Sequence, residues 1–153
     1  MTRARQPSEL HAHLGYWLRA VSNAVSYHFA RKVEAEGVTV AEWVFLRMLH
    51  DVDHIAPSLL AERMGMTKGA ISKLSERLIA KGHIERHPNP DDQRAHTLSL
   101  KPSGRTLVPK LARIADQNDA AFFDALSSTE RRQLEQLLRK IVSDRQLTNV
   151  PTD

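Results

Sequence analysis

The sequence contains no cysteine, which removes disulfides, thiolate nucleophiles and Cys-ligated metals together. Thiol-based oxidant sensing goes with them. No apolar run approaches the roughly 18 residues that a membrane-spanning helix needs, and the opening "MTRARQPSELHAHL" lacks the apolar segment of a secretory signal. A cytoplasmic chain without membrane attachment is expected. No GxSxG, Walker A, GxGxxG or HExxH pattern occurs, and "GMTKG" is too short for a phosphate loop. The carboxylates are scattered over helix surfaces, so catalysis has no constellation to rest on. Neither an enzyme nor a resident cofactor or metal is expected. An acidic surplus is also missing: 22 Lys and Arg against 18 Asp and Glu give a net charge of +4. That balance leans weakly towards a polyanionic partner, and the location of the charge matters more than its sum.

What is present is helical periodicity. With 153 residues, 41% hydrophobic and 26% charged, the chain suits one globular domain or two small lobes sharing a core. From Ser8 to Glu36, Leu10, Leu14, Trp17, Leu18, Val21, Val25 and Phe29 recur at three-and-four spacing, and Gly37 ends the pattern. Thr39 with Glu42 forms a capping box for "VAEWVFLRMLHDV", apolar nearly all round except for Arg47. Pro57 suits the first turn of "PSLLAERM", and Gly65 its end. Thr67 is placed to cap "KGAISKLSERLIAK", which Gly82 stops. Two helices joined by "GMT" make a helix-turn-helix candidate.

On the fourth helix, Ile71, Leu74 and Leu78 form an inward stripe, with Ala70 beside it. Thr67, Lys68, Ser72, Lys73 and Glu76 point elsewhere, and Gly69 removes bulk near the start. A small, cationic, hydroxyl-bearing helix end has the chemistry to meet phosphates and base edges in a major groove. Taken alone, the pattern fits a solvated amphipathic helix better, since such faces are common. Beyond Gly82, "HIERH" reads as a strand, "PNPDD" as a turn and "RAHTLSL" as a returning strand. A hairpin behind a helix-turn-helix is a winged helix. Arg94 near its tip would reach the negative potential of a narrow minor groove with Asp92 as its brace, unless the two are merely a surface ion pair.

The stretch from Leu60 to Gly104 resembles the DNA-binding core of the MarR family of bacterial transcriptional regulators. The residues that carry the likeness are Leu60 to Gly65 before the turn, "KG" and "RL" in the fourth helix, the "AKGHIER" exit and, above all, "DDQRAHTLSLKPSG". The flanking helices have the right lengths and order. The resemblance implies a homodimeric repressor or activator, more often a repressor, on a pseudo-palindromic double-stranded operator. Lys68, Gly69, Ser72, Lys73 and Arg77 stand where family members contact DNA, and Asp92 and Arg94 take the roles of the wing acid and arginine.

The expected fold is mainly α with a small β-hairpin wing. A winged lobe would span 38–102 and a helical dimerisation region 8–36 and 103–147. Ser103 is a candidate cap for a helix from Gly104 to about Leu126. Ser127 and Glu130 form a second capping box, ahead of Leu134, Leu137, Leu138, Ile141 and Val142. Apolar stripes at both ends exceed what one small lobe covers, and they fit either a partner chain or an intramolecular three-helix bundle. The tails "MTRARQP" and "TNVPTD" are expected to be loose.

Arg47, Trp43 and Trp17 form a further candidate group. A buried guanidinium needs an anion: an Asp or Glu of the chain, or the carboxylate of an aromatic ligand. Many relatives bind small phenolic or aromatic acids between dimer helices and winged lobe and then release DNA. His50 and His54, with His83, His87 and His96, raise a metal-responsive alternative without the support of any cysteine. A winged helix used only for protein contacts is the remaining alternative.

Overall fold

Local signals place most of the element ends. The computed structural model describes residues 6–89 and 91–152, and all their side chains except those of Gln93 and Arg94. After a 3-10 turn at Leu10–Ala12 come α1 (Leu14–Glu34), α2 (Val40–His50), α3 (Pro57–Met64), α4 (Lys68–Ala80), β1 (Ile84–Asn89), β2 (Asp92–Leu100), α5 (Pro102–Phe122) and α6 (Ser128–Asp144). Both capping boxes are formed: Glu42 N–H donates to Thr39 Oγ1 and Thr39 N–H to Glu42 Oε2, and the same reciprocal pair links Ser127 and Glu130. Thr67 Oγ1 accepts from Ala70 N–H at 3.1 Å, Pro57 opens α3, and Gly65 closes it in the left-handed region at φ 63°.

Several boundaries differ from expectation. The first helix begins at Leu14 rather than Ser8, because His13 is extended (φ −98°, ψ 125°) and breaks the helical ladder. The preceding turn is held instead by side chains: Trp17 Nε1 donates to His11 O at 2.9 Å, and the His11, Tyr16 and Trp17 rings meet one another. The second helix stops at His50, short of Val52. Ser103 does not cap α5; Lys101 occupies the cap with Pro102 as the first helical residue. The Ser103 hydroxyl donates to Gly82 O at 2.7 Å and lies 2.9 Å from His83 Nδ1, tying α5 to the end of the fourth helix. The hairpin strands run further than "HIERH" and "RAHTLSL", pairing as far as Asn89 with Asp92 after an irregularity at Pro88. In the tail, which has no regular structure, Asn149 lies beside Gly65, its Oδ1 2.8 Å from where a Cβ on Gly65 would stand.

The core is one cluster. Phe45, Leu46 and Leu49 of α2 meet Leu60 and Met64 of α3, Ile71, Leu74 and Leu78 of α4, and Ile84, Leu98 and Leu100 of the hairpin. Each such side chain, fully withdrawn from water, contributes about 1.5 to 3 kcal/mol. Ile55 adds a one-residue third strand, its N–H and C=O both bonded to Leu98. Val33 of α1 and Val108 and Leu111 of α5 complete the cluster, so the core crosses the expected lobe limits at 38 and 102. Gly104 permits this closure: a Cβ there would lie 2.3 Å from His83 O.

Outside the core, apolar residues stay open. Leu10, Leu14, Trp17, Leu18 and Val21 on one arm and Leu137, Leu138, Ile141 and Val142 on the other are all exposed, Leu14 at 79% and Leu137 at 61%. Arg131 fixes the turn between α5 and α6 by donating to Phe123 O and Ala120 O at the end of α5. No described helix is long and apolar enough to cross a membrane.

Candidate nucleic-acid interface and the groove behind it

The α4 side chains divide as their spacing dictates. Ile71, Leu74 and Leu78 are buried, whereas Thr67, Lys68, Gly69, Ser72, Lys73, Glu76 and Arg77 are exposed. Ser75 is buried as well, a hydroxyl on the inward face whose Oγ donates to Ile71 O at 2.8 Å. That bond within the helix satisfies it without a tertiary partner. Thr67 serves as the N-cap, so its hydroxyl is committed to the backbone while Lys68 and Lys73 project outward. An open cleft lined by Ser72, Lys73, Glu76 and Arg77 runs along this face.

The wing is fastened to α4 by a pair absent from the sequence reading: Arg86 of β1 donates to Glu76 at 2.7 Å. Asn89 Oδ1 accepts from Asp91 N–H at 3.0 Å and shapes the hairpin tip. Asp92 is exposed at the first position of β2. Arg94 continues that strand, but its side chain, and with it the expected brace to Asp92, lies outside the described residues.

Arg77 faces two ways. It is exposed, yet its Nε lies 3.7 Å from Oε1 of Glu42, a carboxylate that is 1% exposed. Glu42 Oε2 also accepts from Lys81 Nζ at 2.7 Å. The capping box marked Glu42 in the sequence; its burial and its cations, 35 and more residues away in the chain, carried no local signal.

The candidate ligand group is not assembled as one site. Arg47 is exposed rather than buried, and pairs with Asp51 one turn on at 2.6 Å; the Arg47 guanidinium first, and His50 after it, hold the Asp51 carboxyl below its ordinary range. Trp17 is engaged with His11 and Tyr16. Trp43 lines a groove of about 240 Å³ with Val25, Phe29, Ala115 and Asn118. Asn118 is buried between α1 and α5, accepting from Lys32 Nζ at 3.0 Å.

The histidines are dispersed likewise. His50 lies against Asp51, His54 meets His87 edge to face at 4.8 Å, and His87 Nε2 bonds Ser99 Oγ at 2.8 Å. His83 has its pKa lowered from 6.5 by burial first and by Lys81 second. Among the described residues, no group of three or more metal-ligating side chains could hold an ion.

A helix-turn-helix whose second helix presents an open face, followed at once by a hairpin docked on the same core, defines a winged helix-turn-helix protein. The sequence profile of the MarR family matches residues 36–95. A protein named for transcriptional regulation of the hcr operon in Thauera aromatica is 30% identical over 129 residues, covering 84% of this chain and 78% of its own. A helix-turn-helix-type transcriptional repressor of Mycobacterium tuberculosis is 26% identical over 133 residues, covering 87% and 96%. Among solved structures, the Bordetella bronchiseptica regulator BpsR superposes with a TM-score of 0.76 at 25% identity, over 88% of this chain and 96% of that one. A mutant of Escherichia coli MarR in complex with operator DNA gives a TM-score of 0.75 at 24% identity, over 84% and 93%, and shares the fold. The chain belongs to the MarR family of transcriptional regulators.

Proposed function

We propose that the protein is a homodimeric, sequence-specific DNA-binding repressor. Each α4 enters a major groove and each wing the adjacent minor groove of a pseudo-palindromic operator, and a small aromatic or phenolic acid releases the complex. The outer face of α4 carries the DNA-binding part. Lys68, Gly69, Ser72 and Lys73 are all exposed, and a Cβ on Gly69 would approach only Thr67 Oγ1, at 4.0 Å. Glycine inside a helix costs about 1 kcal/mol relative to alanine. No neighbour in the chain calls for it here, whereas a closely approaching phosphate backbone would. Thr67, Arg77, Asp92 and Arg94 complete the proposed contact set, with Arg94 reading the minor groove.

Homodimerisation is supported by the open apolar faces of α1 and α6, which a second copy would cover. The effector reading now centres on Trp43 and its groove rather than on Trp17, Trp43 and Arg47 acting together. BpsR, whose DNA binding is regulated by 6-hydroxynicotinic acid, supports an aromatic acid as the class of effector.

The test is selection of DNA from a random pool, followed by titration of the selected duplex at two salt concentrations. Lys73→Ala and Arg94→Ala should each weaken binding by about 1 to 3 kcal/mol and flatten the salt dependence. Salicylate should quench Trp43 in a Trp17→Phe background and weaken the complex. A protein that enriches no sequence and shows no salt-dependent shift would leave a protein-contact adaptor as the better reading.

A further inference from the structure

Among the described residues two capping boxes are formed, and one of them is buried. Ser127 and Glu130 form theirs in the open, which shows that closing a helix start does not need burial. Glu42 performs the same local task at 1% exposure. Withdrawing a carboxylate from water costs several kcal/mol unless cations repay it, and a neutral glutamine could have closed the box equally well. The charge at Glu42 therefore serves something beyond the cap.

Its partners show what that is. Glu42 Oε2 accepts from Thr39 N–H at 3.0 Å and from Lys81 Nζ at 2.7 Å. The same Lys81 ammonium donates to Gly37 O at 2.8 Å, in the turn where the chain leaves α1 with Gly37 at φ 82°. Glu42 Oε1 has no hydrogen-bond partner of its own and faces Arg77 Nε at 3.7 Å. One carboxylate and one ammonium thus join the end of α1, the start of α2 and the end of α4. Trp43, the next residue on α2, lines the groove behind the lobe.

We infer that Glu42 is a positioning residue: through Lys81 it fixes the pitch of α4 against α1 and α2, and so sets how the outer face of α4 meets DNA. The inference rests on the DNA-binding reading above. The half-buried pair suits this role because Lys81 makes charge-assisted hydrogen bonds to both Glu42 and Gly37 O, and these weaken steeply once distance or angle departs from the observed geometry. Arg77, four residues before Lys81 on the same helix, is then shared between Glu42 and a phosphate, which links DNA occupancy back to the same carboxylate.

The experiment compares the duplex selected by the wild-type protein with a scrambled duplex of equal length, using Glu42→Gln, Lys81→Met, Lys81→Arg and the double variant Glu42→Gln with Lys81→Met. A charge effect alone would make Glu42→Gln bind both duplexes more tightly and Lys81→Met bind both more weakly. Positioning predicts that both single variants lose roughly tenfold on the selected duplex relative to the scrambled one. The double variant should lose no more than the worse single, and Lys81→Arg should keep the wild-type ratio. Opposite shifts for the two single variants, additive losses, or an unchanged ratio overturn the inference. Should Glu42→Gln fail to fold, the ratio for Lys81→Met against Lys81→Arg decides: loss in Met alone upholds positioning, and equal ratios reject it. A wild-type protein that enriches no sequence overturns the DNA-binding reading itself, and this inference with it.

Discussion

The winged lobe and the two helical arms draw on the same residues and treat them differently. In the lobe, Leu46, Leu49, Leu60 and Leu78 are at 0% exposure. In the arms, Leu14 and Leu137 are more than half exposed, although their helices, of 21 and 17 residues, are longer than α2, α3 and α4. The lobe closes on itself because α2 is apolar on several faces and is wrapped by α1, α3, α4, α5 and the hairpin. The arm helix α6 has one apolar stripe and a polar remainder, and the chain supplies it with little to pack against. A helix stripe is only a demand for burial. Whether the demand is met within one chain depends on how many neighbours the topology places around it.

Breaking the lobe should have the largest effect. Phe45→Ala empties a fully enclosed site and is expected to lower folding stability by about 3 to 5 kcal/mol, read as the denaturant midpoint. The corresponding insult to an arm should act on assembly instead. Leu137→Glu with Ile141→Glu is expected to weaken self-association by at least roughly a hundredfold, giving a monomer by light scattering while the lobe keeps its cooperative transition. If those charges unfold the lobe as Phe45→Ala does, the two regions are one unit and the contrast fails.

Where arm and lobe join, Gly104→Ala should cost about 1 to 3 kcal/mol, because the added methyl meets His83 O and either α5 or β1 must yield. His83, at the same junction, supplies a pH dependence. Its folded pKa lies below 6.5, so its contribution is fully present above that value and is lost as pH falls through the lowered one. Thermal midpoints should decline on acidification from about pH 7 to about pH 5.5, and His83→Gln should flatten that slope. Glu130, whose pKa is lowered by the Ser127 backbone and hydroxyl, contributes in the same direction at lower pH, below 4.5. The smallest effect belongs to Arg47→Ala. Its pair with Asp51 is exposed on both sides, and removal should leave the denaturant midpoint unchanged. A loss of several kcal/mol would mean that Arg47 holds a buried anion after all.

What was legible in the sequence was local. Thr39 with Glu42, Thr67, Ser127 with Glu130, Pro57 and the glycines at 37, 65 and 82 state helix starts and stops through contacts three residues apart or through φ values that other residues avoid. These were enough to order the six helices and the hairpin and to separate the inward from the outward face of α4. The signals failed where a side chain found another use for the same chemistry, whether far along the chain or within a turn or two. Ser103 reads as a cap but is drawn to Gly82 O and His83, and the stripe from Ser8 reads as unbroken helix although His13 is extended and the aromatic rings secure a separate turn. Arg47 reads as a buried cation because its helix is apolar, yet Asp51 on the next turn takes it at the surface. Tertiary structure alone decided that Glu42 is enclosed between Lys81 and Arg77, that Asn118 is buried against Lys32, that His54 meets His87, and that Gly104 touches His83. Each of these pairs residues from different elements, and no periodicity or capping rule reaches across the loops that bring them together.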